Sequence, residues 1–231
     1  MPRSQTTSQI NAFGERLRRA VRASSADLVM LQRLRADYDA PLAQVEDRLR
    51  TNGLRTTSRL KTVGTIIDKL KRERTRLSKM QDIAGVRLVV GQGLSGLTEQ
   101  DRIVEVVSDL FPGSSTVDRR SRPSHGYRAV HVIPTVDECP VEIQIRTRDQ
   151  DGWAHLMEAV ADWLGRQVRY GEEPDDPDAL VGSRTRRDLV RELMKYSEIS
   201  ADTEDAIRAG SLDRAIQLTQ EAARLLEGLT K

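Results

Sequence analysis

The feature that most constrains the fold of this chain is a strictly alternating segment at residues 141–147. It reads VEIQIRT, so that β-branched apolar residues alternate with an acid, an amide and a guanidinium. Because successive side chains of a strand point to opposite faces, this period of two predicts a strand with one face in a core. The polar face carries Glu142, Gln144 and Arg146, which suit a metal ion, a sugar hydroxyl and a phosphate. A structural strand with one wet face is the alternative.

Helical patterns surround this strand. The spacing of apolar residues predicts helices at 8–52, 62–79, 98–111, 150–166, 184–199 and 203–229. Strands are predicted at 83–90, which ends in the glycine-rich 91–93, and at 129–135 and 140–147, joined by a turn at Asp137 and Glu138. Loops are predicted at 113–126 and 171–178. The chain therefore has an α/β pattern with an N-terminal helical extension (1–54), a core (55–170) and C-terminal helices (171–231).

Composition narrows the class of protein. The 231 residues contain no apolar run long enough to cross a membrane, and the N-terminus has no apolar signal-peptide region. A single cysteine, Cys139, excludes an internal disulfide and a multi-cysteine zinc site. We therefore expect a cytoplasmic protein. Basic runs at 69–79 and 119–122 suit either a solvated surface or contact with a polyanion.

Basic residues and a hydroxyl recur at helical spacing near residue 60. Lys61, Thr65 and Lys69 are four residues apart, with Arg59 just before them. If a helix begins near Lys61, the three side chains share one face beside the positive end of its dipole. Such a row predicts a binding track for a polyphosphate, and a basic surface face is the alternative.

A carboxylate stands at the start of the strand that follows. Asp82 precedes the segment IAGVR, and a carboxylate at a strand edge beside basic residues is a natural magnesium ligand. A turn residue paired with a nearby arginine is an equal alternative. If Glu142 lies near Asp82, the two acids form a magnesium site, and Glu142 can also accept the proton of an attacking hydroxyl.

The segment SHGYRAVH, residues 124–131, holds the fourth set of candidates. Gly126 permits a tight turn that projects Tyr127, whose ring suits stacking on a nucleobase. Packing of that ring on the sheet edge is the alternative. His131 lies on the following strand, where a lone histidine is commonly a hydrogen-bonded structural residue.

In this order, the four segments resemble the synthetase region of RelA/SpoT-type alarmone synthetases, including the small synthetases and their toxic branch. The resemblance covers about residues 55–165. It is carried by R-x-K-x(3)-T-x(3)-K (59–69), D-I-A-G-V-R (82–87), G-Y-R-A-V-H (126–131) and E-I-Q-I-R-T (142–147).

The resemblance implies a nucleotidyltransferase-like mixed β-sheet flanked by helices. It implies an ATP-dependent, Mg2+-dependent transfer of the β,γ-pyrophosphate of ATP to a ribose 3′-hydroxyl. The implied catalytic and metal residues are Asp82 and Glu142. ATP would be bound by Arg59, Lys61, Thr65, Lys69 and Arg87, and the acceptor by His125, Tyr127, His131, Gln144 and Arg146.

Two acceptors stay open. The wider family uses GDP or GTP, which we favour slightly. However, Pro123 and His125 depart from the residues usual in the acceptor loop of the family. Nearby arginines could contact RNA: Arg119, Arg120 and Arg122. The motifs W-A-x(3)-E (153–158) and R-Y-G (169–171) resemble the toxic branch. Some members of that branch pyrophosphorylate the 3′-CCA end of uncharged tRNA, and the resemblance to them implies an antitoxin as a candidate partner. Related synthetases form homo-oligomers. The hydrolase part of long, bifunctional relatives needs a His/Asp cluster that binds a metal. Because the three histidines of this chain all lie in the synthetase region, we expect synthesis without hydrolysis.

Overall fold

The computed structural model of the protein describes residues 5–91 and 96–229. Within them the α-helices are Thr7–Arg19 (α1), Ser25–Ala36 (α2), Asp39–Thr51 (α3), Val63–Glu73 (α4), Gly96–Leu110 (α5), Arg148–Leu164 (α6), Arg186–Arg208 (α7) and Leu212–Leu229 (α8). The strands are Thr57–Leu60 (β1), Ala84–Val90 (β2), Ser115–Asp118 (β3), Val130–Ile133 (β4), Thr135–Val136 (β5), Cys139–Thr147 (β6), Leu180–Val181 (β7) and Arg184–Thr185 (β8). Short 3-10 helices occupy Leu77–Lys79 and Arg166–Tyr170.

One sheet carries the strands predicted from sequence. Its order is β1-β2-β6-β4-β3, and β5 pairs with β6; β7 and β8 form a separate hairpin. β1 runs antiparallel to β2, with Thr57 opposite Arg87 and Arg59 opposite Gly85. The predicted α/β class, a sheet flanked by helices, is therefore confirmed.

The chain divides into two compact units, each made of several segments. The first unit comprises residues 1–88, 106–116 and 131–144, and the second comprises 89–105, 117–130 and 145–231. The division into 1–54, 55–170 and 171–231 drawn from sequence stays a prediction.

The N-terminal part of the first unit is three helices where sequence spacing predicted one, over 8–52. Thr6 caps α1 and Ser24 caps α2, each through a capping box that satisfies exposed backbone N–H groups. α1 packs on α4 and on the 3-10 helix at Leu77–Lys79. A Cβ at Gly14 would lie 2.6 Å from the Cβ of Leu77, so glycine permits this close approach. These contacts form a helical layer against which α4 is fixed.

Helix α4 is shorter than the predicted 62–79. Thr62 caps its start, and the chain leaves the helix at Arg74, which has a φ of 49°. A left-handed residue ends an α-helix because the next carbonyl no longer points along the axis. The helix therefore carries Thr65 and Lys69 but not Lys61, which lies one residue before the cap.

The second unit packs around α6 and α7. A buried cluster joins Trp153 and Met157 of α6 to Leu189 and Leu193 of α7. Thr147 caps α6 in a capping box with Gln150. α7 continues to Arg208, so the break predicted between 199 and 203 is wrong. The chain instead turns at Gly210, whose φ is 73°.

Two local features complete the fold. The predicted turn between β5 and β6 is present, and both Asp137 and Glu138 have positive φ, as a two-residue hairpin turn of type I′ requires. β3 lies in the Ser- and Arg-rich segment that sequence assigned to a loop. Part of the glycine-rich segment 91–93 lies outside the described residues. Among the described helices, none combines the length and apolarity that a membrane crossing requires.

Candidate active site

Two lysines converge on one carboxylate in the first unit. The Nζ of Lys69 donates to Oδ2 of Asp82 at 2.7 Å, and the Nζ of Lys61 lies 3.3 Å from the same oxygen. All three side chains are about one-fifth exposed. Asp82 thus pairs with two lysines rather than with an arginine, and both cations lie where a polyanion can reach them.

The ammonium group of Lys69 contacts one candidate catalytic acid, Asp82, and interacts electrostatically with the other, Glu142. Burial opposes the charge of Lys69, but the charge and hydrogen bond of Asp82, together with the charges of Glu73 and Glu142, raise its pKa. Lys69 therefore interacts electrostatically with both Asp82 and Glu142. Both acids therefore act electrostatically on one cation.

Glu142 is buried among polar partners rather than in an apolar interior. Its Oε1 lies 3.1 Å from Nδ1 of His131, and its Oε2 accepts a hydrogen bond from Nε2 of Gln144 at 2.6 Å. Burial favours the neutral acid, but the hydrogen bond and charge of His131, then Gln144 and Lys69, outweigh it and lower the pKa of Glu142 to about 2. Glu142 is therefore a carboxylate at neutral pH.

The donors at Asp82 and Glu142 fit a magnesium ion that arrives with a phosphate. Oδ1 of Asp82 is buried and has no hydrogen-bond partner among the described residues, so no protein donor satisfies it and its charge is left for a cation to neutralise. The described residues hold no cluster of three or more His, Cys, Asp or Glu side chains placed for a metal. Mg2+ typically takes one or two protein carboxylates and completes its shell with water and substrate phosphates, which matches this pair.

Thr65, the remaining candidate for binding phosphate, lies in the first turn of α4. Thr65 donates its backbone N–H to Oγ1 of Thr62 and its own hydroxyl to the Thr62 carbonyl. Thr65 and Lys69 are four residues apart on α4 and share one helix face. Lys61, which lies before the helix, reaches the site through Asp82 instead.

Arg59 and Arg87 lie on one face of the β1–β2 pair. Arg59 is opposite Gly85, and Arg87 is two residues further along β2, so both side chains leave the sheet on the same side. Arg59 is exposed and Arg87 is half-buried. Gly85 lies between them on this face and has no side chain to separate the two arginines.

The depressed pKa of Glu142 predicts a specific dependence of stability on pH. Its folded pKa of about 2 lies below the ordinary 4.5, so this carboxylate stabilises the fold above pH 4.5 and the contribution is lost as pH falls toward 2. At about 1.4 kcal/mol per pKa unit, the effect is roughly 3 kcal/mol. We expect Glu142→Gln to be less stable than wild type by about that amount at pH 7 and nearly equal to it near pH 2. Urea unfolding from pH 7 to pH 2.5 measures this; a difference independent of pH would contradict it.

The second unit contains a two-residue hairpin turn. Ser124 and Tyr127 exchange both backbone hydrogen bonds, at 3.1 and 3.0 Å. The two residues between them have positive φ, 51° at His125 and 82° at Gly126, which is the geometry of a type I′ turn. The tight turn predicted at Gly126 is present, and it projects Tyr127.

The ring of Tyr127 is held by Arg146. The Arg146 guanidinium lies 4.9 Å from the ring centroid, and its Nη2 donates to the Tyr127 hydroxyl at 3.1 Å. Nη1 of Arg146 donates to Oδ1 of Asp151 at 3.0 Å. Tyr127 also packs against the buried cluster around Trp153. The structure therefore shows the alternative of a packed ring, and because Tyr127 is only half-buried, stacking on a nucleobase stays a prediction.

The two motifs at 153–158 and 169–171 surround the same turn. A Cβ at Gly126 would lie 2.5 Å from the indole of Trp153, and one at Gly171 would overlap the imidazole of His125. Nη2 of Arg169 lies 3.3 Å from Oε1 of Glu158, which ties the two motifs together. His125 therefore lies against the chain at Gly171 and lines a cavity of about 480 Å3 in this unit.

The three arginines proposed for RNA contact differ in their surroundings. Arg119 and Arg122 are exposed. Arg120 forms ion pairs with Asp118 and Asp101, and although burial opposes its charge, those partners raise its pKa. Arg120 therefore has a structural role, and a phosphate would have to compete with two carboxylates for it.

Sequence reasoning missed Asp151 as a partner of the acceptor candidates. It lies in the first turn of α6, where an acid is expected simply from the helix dipole. Asp151 follows Arg146 by five residues, but β6 ends and α6 begins between them. A periodic pattern holds only within one element, so it could not predict that these two side chains meet. The contact depends on how the chain bends at Thr147.

Comparison with known proteins identifies a family region in the middle of the chain. Residues 58–163 match the profile of the region found in RelA / SpoT proteins. An uncharacterized protein of Mycobacterium tuberculosis (strain H37Rv) is 38% identical over 156 residues, which are 64% of this chain. An uncharacterized protein of Mycobacterium bovis matches to the same extent. This chain covers 56% of the length of each of these relatives.

Solved structures share the fold. Small alarmone synthetase 1 from Bacillus subtilis superimposes with a TM-score of 0.51 at 20% identity, covering 79% of this chain and 97% of that one. Small alarmone synthetase 2 from the same organism gives a TM-score of 0.50 at 22% identity, covering 81% and 97%. The likeness confirms the predicted fold, a mixed β-sheet flanked by helices.

Proposed function

We propose that the protein is an ATP-dependent pyrophosphokinase, from the premise that residues 58–163 match the region found in RelA / SpoT proteins. The reaction attaches the β,γ-pyrophosphate of ATP to a ribose 3′-hydroxyl and releases AMP. The observation that carries the proposal is the cluster of Lys61, Lys69 and Asp82, with Glu142 in the electrostatic field of Lys69. Transfer between phosphates and hydroxyls needs positioning and charge neutralisation above all.

We assign ATP binding to the basic side of this cluster. Lys61 and Lys69 exchange the carboxylate of Asp82 for phosphate oxygens, and Thr65 adds a hydroxyl at the start of α4. Arg59 and Arg87 hold the adenine over the strip of sheet beside Gly85, because a guanidinium stacks on and bonds to flat rings. The cationic groups thereby orient the triphosphate for attack at its β-phosphorus.

Asp82 and Glu142 are the residues that would hold Mg2+. When bound, the ion neutralises charge on the phosphate oxygens. Because a carboxylate with a pKa of about 2 is a weak base at neutral pH, we assign Glu142 the task of accepting a hydrogen bond from the 3′-hydroxyl and orienting it. His131 and Gln144 fix the two oxygens of Glu142 for that task.

We propose GDP or GTP as the acceptor, stacked on Tyr127 and bound by His125 and Arg146. The support is that the ring of Tyr127 is held by contacts with Arg146 and the Trp153 cluster yet is only half-buried, which suits base stacking. The test is acceptor profiling: purified protein with ATP labelled in its γ-phosphate is offered GDP, GTP, AMP and deacylated tRNA side by side. A labelled guanosine product supports the proposal, and folded protein that labels none of the four contradicts it.

Uncharged tRNA is the second candidate, because exposed Arg119 and Arg122 flank the segment that leads to the acceptor turn. If tRNA is the acceptor, we expect Arg119→Ala with Arg122→Ala to lower its labelling about tenfold or more, since each lost phosphate contact weakens binding. Labelling of GDP by the same variant should stay unchanged. Arg148→Ala, an exposed arginine on α6, is the control. Toxicity on overexpression, relieved by the product of an adjacent gene, would identify an antitoxin.

A further inference from the structure

A chain of three side chains in the second unit leads from α6 to the acceptor turn. Asp151 binds Nη1 of Arg146 at 3.0 Å, and Arg146 in turn binds the hydroxyl of Tyr127 through Nη2 at 3.1 Å while covering its ring. The side chain of Arg146 is 5% exposed and that of Asp151 is 14% exposed. The guanidinium therefore has a carboxylate on one edge and the phenol on the other, with little contact with water.

Because Arg146 is buried, its charge depends on the carboxylate of Asp151. A guanidinium taken out of water needs a counter-charge, and its planar fork adopts the orientation that its bonded partners dictate. Asp151 supplies that charge from the first turn of α6, where the capping box of Thr147 and Gln150 fixes the backbone. The orientation of Arg146, and with it the ring of Tyr127, thus depends on a rigid helix end.

The simpler explanation for Asp151 is a favourable contact with the dipole of α6. A second acid in the same turn allows the dipole contact to be tested separately from the ion pair with Arg146. Asp149 lies in the same first turn of α6 and carries the same charge, but it is exposed. A dipole contact is available to both acids. The ion pair with Arg146 distinguishes Asp151, as does the nearby His155, whose Nδ1 is 3.5 Å from its Oδ2.

We propose that Asp151 is a positioning residue for the acceptor: it holds Arg146 across the ring of Tyr127 and so presents that ring in one orientation. The inference rests on the proposed function. Without the carboxylate, Arg146 turns toward other acceptors or toward water, and the ring samples several orientations. Binding of the acceptor must then also order the ring of Tyr127, which weakens binding. The residues proposed to bind ATP, in the first unit, are unaffected.

The test is a steady-state comparison of Asp151→Asn with Asp149→Asn. For Asp151→Asn we expect the KM for the acceptor to rise about tenfold while the KM for ATP stays within twofold of wild type. Asp149→Asn should leave both constants unchanged. The acceptor is GDP, or deacylated tRNA if wild type labels only that. An acceptor KM within twofold of wild type in Asp151→Asn overturns the inference, and so does an equal rise in Asp149→Asn.

A double substitution covers the case in which Asp151→Asn folds poorly. Asp151→Asn with Arg146→Gln removes both charges, so no unpaired guanidinium stays buried. If Asp151 acts only through Arg146, this double variant has the same acceptor KM as Arg146→Gln alone. A further rise in the double variant overturns the inference. Wild-type protein that labels neither acceptor contradicts the proposed function itself, which separates the two failures.

Discussion

Glu142→Gln and Asp82→Asn should each lower pyrophosphate transfer by about 10³-fold, because each removes a charge that the reacting phosphates and hydroxyl depend on. Asp82 is paired with Lys61 and Lys69. Glu142 is held by His131 and Gln144, so neither acid is placed to take over the role of the other. Initial rates of label transfer, measured with saturating ATP and acceptor, give the effect on kcat. Rates above about a tenth of wild type in either variant would contradict the assignment.

Stability must be controlled in that experiment, since Glu142 also stabilises the fold. Rates are therefore measured at a temperature where circular dichroism shows each variant to be fully folded. Glu138→Gln is the matched control for Glu142→Gln: it makes the same change at an exposed position in the β5–β6 turn. Its activity should equal that of wild type.

Gly126→Ala is the second substitution with a large expected effect. Gly126 has a φ of 82°, and an added Cβ would lie 2.5 and 2.9 Å from two atoms of the Trp153 indole. The left-handed backbone costs an alanine about 1 kcal/mol, and displacing a packed indole adds about 1–3 kcal/mol. Because the turn must open to relieve the overlap, Tyr127 moves and the KM for the acceptor should rise at least about tenfold.

Gly113→Ala separates the two causes. Gly113 also has a φ of 82°, but a Cβ there would meet nothing within 4 Å. It should therefore show the backbone cost alone, about 1 kcal/mol in urea unfolding, with unchanged kinetics. Equal loss of stability in the two variants would show that Trp153 yields without cost, and it would contradict the role given to this contact.

Much of the fold followed from periodicity. The alternation in β6 and the helical spacing of apolar residues in α5 each predicted an element of the right type, since burial on one face imposes that pattern. β3 was missed because Ser115–Asp118 is short, polar and mostly exposed, so no alternating burial marks it. The end of α7 was misplaced because its buried residues continue past 203 to Glu204 and Ala206, and only Gly210 offers a left-handed stop.

For the candidate site, too, some features could be predicted from sequence and others could not. By itself the sequence determined which polar residues share a face: Glu142 with Gln144 on β6, and Thr65 with Lys69 on α4. These pairs follow from the local repeat of strand and helix. It also determined the turn at Gly126, because few other residues adopt that backbone conformation.

Only the tertiary structure decided which of these residues meet. Lys69 binds Asp82 across 13 residues, and Arg146 binds Tyr127 across 19. The bend at Thr147 then brings Asp151 to the other side of Arg146. The physical reason is that a periodic pattern fixes the direction of a side chain relative to its own element, whereas the distance between two elements depends on packing of the whole chain.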